Sequence, residues 1–506
     1  MYVTVFIYSF MPETYVVYRQ SLFIEDRDGE MRALPDRCRH IFSATKSWHH
    51  LRSRGSRGEV RSCSGWPSRA RPQPDGAPAH FSSTSTGTPP SSPPDAVSSR
   101  TSSRTSPRAF STSPATRHID IMGDATMDAS SAAPASTWVG HQGAAAFDLR
   151  SDTMTTPTLA MLNAIQTTTL LDDVVQEDLT TNELEAHVAA LAGKEAGLFV
   201  LSGTMGNQIA LRSLLTQPPH GVLCDRQSHI VKYEAGGVAS LSGALVTAVR
   251  PSNGRYLSLE DIQENIVLSD DVHACPTRVI SLENSLNGLV MPLQEVRRIS
   301  AFARGHGIRM HCDGARLWEV VASGAGSLAE FCACFDTVSL CFSKGLGAPI
   351  GSIIVGSESL VRQGRWVRKA IGGGLRQAGV VTAAARVAVD VTFGKDSRGR
   401  GGLLKATHDT ARRVEKMWTD LGGRMAQPVE TNMCWLDLDS LGCSAARLEQ
   451  LGREVGLKLW GNRLITHYQI GEEAIQKLAA VFQQVAQEST AGAQPAKDPA
   501  TGIYGR

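Results

Sequence analysis

From Phe147 onward, short apolar runs alternate with segments in which apolar residues recur every three or four positions. That is the pattern of strands covered by helices on both faces of a mostly parallel sheet. The segment TTNELEAHVAALAGK shows it. Leu184, Val188 and Leu191 repeat at helical spacing, Thr180 with Glu183 offers a capping box, and Gly193 stands where a helix would end. AGLFVLSGTMGNQIALRSLL then reads as strand, tight turn and helix. Further strand-like runs follow at GVLCD, TRVISLEN, GIRMHCDGA, TVSLCFSKG and GSIIVGS, each ending in a polar or glycine-rich loop. After Gly402 two helix-period segments, Leu403 to Leu421 and Ala446 to Val455, flank short strands at NMCWLDL and RLITHYQI, which predicts a smaller second domain.

Before Phe147 the pattern vanishes. From about Leu51 to Ala135 the chain is Ser, Pro, Thr, Gly and Arg with few aliphatics, too little apolar surface to offset the entropy of ordering. The expected organisation is a disordered extension over 1–145, a large domain over 146–401, a small domain over 402–490 and a flexible tail over 491–506. The opening MYVTVFIYSFM is too short to span a bilayer and lacks a basic leader. The Arg- and Ser-rich, acid-poor stretch from Arg100 to Arg117 has the composition of a mitochondrial transit segment, and an upstream extension with initiation near Met122 or Met127 accounts for the same residues. A cytoplasmic protein is the expectation, with a mitochondrial one as the alternative.

The chain of 506 residues carries a net charge of only +2, and its basic surplus lies in the extension, so nucleic acid is not an expected partner. Ten cysteines without a paired CxxC, several inside apolar runs, fit reduced thiols. Cys332 and Cys334 lie too close together for a zinc clip, and no metal is expected.

In an open parallel sheet, ligands gather at the carboxyl ends of the strands. The residues found there are Ser202-Gly203-Thr204, His229, Glu283-Asn284, Asp313 through Arg316, and Ser343-Lys344. SGTMGN opens a helix with free backbone N–H groups, either an ordinary capped terminus or an anion cradle; its spacing is not that of a dinucleotide motif. Asp313 ends an apolar strand, and a carboxylate there needs Arg316 or a protonated ring nitrogen as partner. Lys344, wedged between strand and glycines, has an amine suited to a Schiff base. Phosphate site, acid and amine together describe pyridoxal phosphate. His229 is either a buried, satisfied histidine or a group that lies on a cofactor ring and exchanges protons. Arg316 and Arg463 are of the type that clamps a carboxylate.

These residues sit in motifs that closely resemble the low-specificity L-threonine aldolases: DLRSDTMT, SGTMGNQ, the SHI and EAGG pair, LEN with NG, DGAR, SKGLGAPIGS, RKAIGGGLRQAG and TNM, over Phe147 to about Gln487. The resemblance implies the α/β fold of the pyridoxal-phosphate-dependent transferases (fold type I). It also implies an aldolase that splits L-threonine and L-allo-threonine into glycine and acetaldehyde. Carried onto this chain, it makes Lys344 the lysine that binds the cofactor, Asp313 the partner of the pyridine nitrogen, and His229 the stacking residue. Gly203 and Thr204 hold the phosphate, Ser151, Arg316 and Arg463 meet the substrate carboxylate, and Lys369 and Arg376 reach the phosphate of a neighbouring subunit in a homodimer or homotetramer. The chain departs from the family pattern at Val175 and Leu179, in place of an aromatic residue and a proline, and at Leu286, where many relatives carry histidine. An aminotransferase or β-eliminating lyase on the same scaffold, or a homologue without turnover, are the alternatives.

Overall fold

The computed structural model describes residues 144–394 and 402–490, together with two short strands, Phe23–Glu25 and Met31–Ala33, that pair antiparallel. The remainder of the predicted extension and the predicted tail lie outside the described residues.

Seven strands form the large sheet: Ala196–Val200 (β1), Gly221–Asp225 (β2), Leu245–Val249 (β3), Thr277–Glu283 (β4), Arg309–Gly314 (β5), Thr337–Cys341 (β6) and Ser352–Gly356 (β7). Their order is β1-β7-β6-β5-β4-β2-β3, parallel throughout except for β7, which runs against both β1 and β6. The strands β2, β6 and β7 are buried along their whole length. Continuous Val, Leu, Ile and Cys runs suit that place, since both faces are covered by helices. The predicted strands of this region therefore appear in the predicted places, as an α/β fold with one antiparallel member.

The helix predicted at the TTNELE segment is Leu179–Leu191, but its cap differs from the expected one. Asp178, not Thr180, accepts from the Thr181 N–H at 2.9 Å, and Thr180 instead bonds Thr168 and Thr169. The helix starts two residues earlier than the Thr180–Glu183 pair implies, because Asp178 offers a charged acceptor to the free donors of the first turn. Its end is as expected: Gly193 takes φ +62°, a left-handed turn that glycine adopts without strain.

A second, separate core gathers Leu149, Val414, Trp418, Leu436, Leu448, Leu464, Leu478 and Phe482 around the strands Arg424–Met425 (β8), Met433–Asp437 (β9) and Arg463–Ile465 (β10). Leu149 comes from the start of the described chain. Its N–H donates to Lys458 O at 3.0 Å and its carbonyl accepts from Ile465 N–H at 2.9 Å, so the segment carrying Ser151 and Asp152 is held by the small sheet. Among the described residues no helix is long and apolar enough to cross a membrane.

Candidate active site

Strands β4, β5 and β6 end side by side, and their register places Glu283 opposite Asp313. Asp313 is 4% exposed; its Oδ2 accepts from Asn207 Nδ2 at 2.7 Å and its Oδ1 from the Ala315 N–H at 3.0 Å. Glu283 accepts from the His229 backbone N–H at 2.7 Å. Burial, then the neighbouring Asp313 charge, push Glu283 up to about 8, with Lys344 and Arg316 acting in the opposite sense. Lys344, on the turn after β6, is thus within electrostatic reach of Glu283, and its charge also reaches Asp152.

That turn is built for close approach. A Cβ on Gly345 would collide with the Glu319 carboxylate, and one on Gly347, at φ +84°, with the Tyr468 hydroxyl. Behind the turn Glu319 Oε2 meets His408 Nε2 at 2.7 Å, both side chains almost wholly buried.

His229 opens a short helix after β2, and its Nδ1 lies 2.7 Å from Glu234 Oε1. Facing a carboxylate, Nδ1 carries the hydrogen, which leaves the Nε2 lone pair for other partners. Asn207 donates Nδ2 to Glu234 at 2.8 Å as well as to Asp313. Its Oδ1 is therefore left to His311 Nε2 at 3.1 Å, while His311 Nδ1 faces Thr337 Oγ1 at 3.0 Å. Burial pulls His311 down to about 4, which favours the neutral ring.

The Arg316 guanidinium grips Asp152 with two bonds, Nε to Oδ2 at 2.8 Å and Nη2 to Oδ1 at 2.7 Å. Burial opposes ionisation of Asp152, but the charge and hydrogen bonds of Arg316 outweigh it, and the carboxyl falls to about 2. The partner of Arg316 is therefore Asp152 and not Asp313, one of the two readings the sequence left open for that acid. Ser151 Oγ caps the following turn by accepting from the Thr153 N–H at 3.2 Å. Arg463 Nη2 donates to Arg150 O at 3.2 Å and its guanidinium carbon stands 5.8 Å from the centre of the Trp435 ring, so it joins the Ser151 segment from β10 of the small sheet.

Gly203 and Thr204 open the Gly203–Leu214 helix, capped by Ser202, and helix geometry leaves their N–H groups without partners in the helix. Lys369, in the last turn of the Glu358–Ala370 helix, and Arg376, beyond its end, are both exposed, and Arg376 pairs with Asp172 at 2.6 Å. Sequence reasoning did not assign Asn207, Glu234, Asp152 or Glu319. The available signal was periodicity: Asn207 and Gln208 put amides on helix positions that are buried.

Three features test whether these residues fit pyridoxal phosphate. A Cβ on Gly203 would meet only Ser352 Oγ, at 3.8 Å, so the helix terminus faces open space. Ser352 Oγ is buried there without a hydrogen-bond partner, a donor suited to a phosphate oxygen. Asp313 meets neutral donors alone, an acid still fit for a cationic N–H. The residues fit.

Residues 148–440 match the model of the family described as Beta-eliminating lyase. The chain is 57% identical over 343 residues to aldolase vrtJ of Penicillium aethiopicum, covering 68% of this chain and 87% of that protein. It is 48% identical over 346 residues to alanine racemase TOXG of Cochliobolus carbonum, covering 68% and 89%. It is 44% identical over 335 residues to the low-specificity L-threonine aldolase of Candida albicans, covering 65% and 87%. Among solved structures, threonine aldolase of Leishmania major matches in fold at TM-score 0.58 and 18% identity, covering 67% of this chain and 99% of that one.

Proposed function

The chain belongs to the beta-eliminating lyase family, with pyridoxal phosphate as cofactor, and we propose that it cleaves the Cα–Cβ bond of L-threonine and L-allo-threonine to give glycine and acetaldehyde. The observation that carries this reading is the placement of His229 Nε2, Asp313, Glu283 and the Lys344 turn at one edge of the sheet. When bound, pyridoxal phosphate supplies an aldehyde for amines and a ring that draws electrons from the bond being broken.

The chain's own groups do the rest. Gly203 and Thr204 offer N–H groups to the phosphate, and Lys344 Nζ offers the amine that holds the cofactor until substrate arrives. Asp313 stabilises a positive ring N–H. Arg316, held by Asp152, and Arg463 orient the amino-acid carboxylate, with Ser151 beside them. His229 Nε2 takes the β-hydroxyl proton. Lys369 and Arg376 serve a neighbouring subunit's phosphate, a role their exposed position permits. Trp366, Val175 and Leu179, all more than half exposed, supply apolar area for such a contact. Sedimentation at micromolar concentration is expected to return a dimer or tetramer.

Leu286, in a small cavity with Asp225, Arg255, Tyr256 and Glu283, offers the hydroxyl neither donor nor acceptor, which leaves His229 without a second polar reader beside it. Without one, choices between a hydroxyl and a methyl amount to about 1–3 kcal/mol. Acetaldehyde release is therefore expected from both L-diastereomers, faster from the allo form, and not from D-isomers. A kcat/KM ratio between the L-forms beyond roughly a thousandfold, about 4 kcal/mol, would defeat this reading.

The 48% identity to an alanine racemase favours a second reading, removal and return of the Cα proton with the Cα–Cβ bond left intact. Loss of optical rotation from L-alanine, with no aldehyde from threonine, would select it.

A further inference from the structure

Glu234 is 4% exposed, and three donors converge on its carboxylate: His229 Nδ1 at 2.7 Å and Asn207 Nδ2 at 2.8 Å on Oε1, and Gln208 Nε2 at 2.6 Å on Oε2. Asn207, 1% exposed, spends its second amide hydrogen on Asp313 Oδ2 at 2.7 Å, and its carbonyl accepts from His311. One amide thus bridges the acid that would meet the ring nitrogen and the acid behind the histidine. Its orientation admits no exchange of nitrogen for oxygen, since a flipped amide would turn its carbonyl toward two carboxylates.

We propose that Glu234 and Asn207 are positioning residues for the reaction. Glu234 holds His229 as the Nδ1–H tautomer, so that the lone pair for the substrate proton is on Nε2. Asn207 locks Glu234 to Asp313, so that ring acid and histidine keep one fixed spacing. An imidazole whose far nitrogen is oriented by a third group follows the general logic of an activated base. The inference rests on the reading of His229 as the base.

The first test reads the apoprotein, labelled with 15N-histidine, with the His229 ring assigned by loss of its signals in His229→Asn. The expected wild-type spectrum is the Nδ1–H tautomer. In Glu234→Ala the Nε2–H form should rise at least threefold, since a free imidazole populates both tautomers. Glu234→Gln should retain the wild-type form, because its Oε1 remains an acceptor and Gln208, whose own Oε1 has no partner, can turn to match it. Glu234→Met fills the space without an acceptor and replaces the alanine variant should that one fail to fold. A wild-type ring in the Nε2–H form, or a tautomer ratio unmoved by loss of the acceptor, overturns the proposal.

The second test is kinetic. Loss of the Glu234 acceptor should lower kcat by about 30-fold or more with cofactor affinity within about threefold, and the same change in the His229→Asn background should cost less than about threefold. Equal losses in both backgrounds would make Glu234 a fold residue and overturn its positioning role. An unchanged kcat in His229→Asn alone would sink the base assignment, while the apoprotein spectrum decides the tautomer independently.

Discussion

Arginine–carboxylate pairs occur in two settings in this molecule, and their hydrogen bonds look alike. At the carboxyl edge of the large sheet Arg316 holds Asp152 through two bonds, with side chains 15% and 0% exposed. On the helices that cover the second core Arg413 holds Glu472 through two bonds of 2.9 Å, with side chains 52% and 59% exposed. Geometry does not separate them; the surroundings do. A pair in water has alternatives and is screened, whereas a buried charge has no solvent to turn to when its partner is lost. The charges at the sheet edge are therefore interdependent, and the exposed ones over the second core act singly.

The largest effect tests whether the sheet edge is the reactive region at all. Lys344→Ala is expected to lower kcat/KM by at least about 10⁴-fold, over 5 kcal/mol, in single-turnover and steady-state assays alike. A variant within roughly tenfold of wild type would remove the distinction between the two regions.

Next comes the buried pair itself. Asp152→Asn leaves the Arg316 guanidinium without its main counter-charge and should cost about 3–5 kcal/mol in denaturant unfolding, together with a rise in KM. A loss below about 1 kcal/mol would mean that the buried pair behaves like an exposed one.

The pH dependence sharpens the comparison through two acids shifted in opposite senses. Asp152, held down at about 2, contributes stability that is present above the ordinary carboxylate range and is lost as pH falls toward 2. About 2 kcal/mol is at stake, and Asp152→Asn should flatten that acid limb. Glu283, pushed up to about 8, is the reverse: the fold favours its protonated form, so its contribution is present at low pH and is lost as pH rises toward 8. Glu283→Gln should flatten the loss of apoprotein stability between pH 5 and 8. Melting curves of the two variants at pH 3, 5 and 8 check both limbs.

The smallest effect belongs to the exposed pair over the second core. Arg413→Ala should change unfolding free energy by less than about 1 kcal/mol, and less again in high salt. A larger loss would show that exposed pairs there are not independent.

Alternation of apolar runs with helical periods determined the α/β fold, because continuous apolar runs, period 3.6 and breakers such as Gly193 are local properties of the chain. Strand-end logic placed Asp313, Glu283 and Lys344 at one edge before any contact was known, since an acid or lysine closing an apolar run has nowhere to point except the crevice beyond the sheet. What the tertiary structure alone decided is which group meets which. Arg316 finds an acid 164 positions earlier, Leu149 joins a sheet whose strands lie beyond residue 420, and Asn207 links Glu234 and Asp313, 27 and 106 positions away. Pairing over such distances depends on chain closure and on competition among buried polar groups for the few available donors, and neither leaves a periodic trace in the sequence.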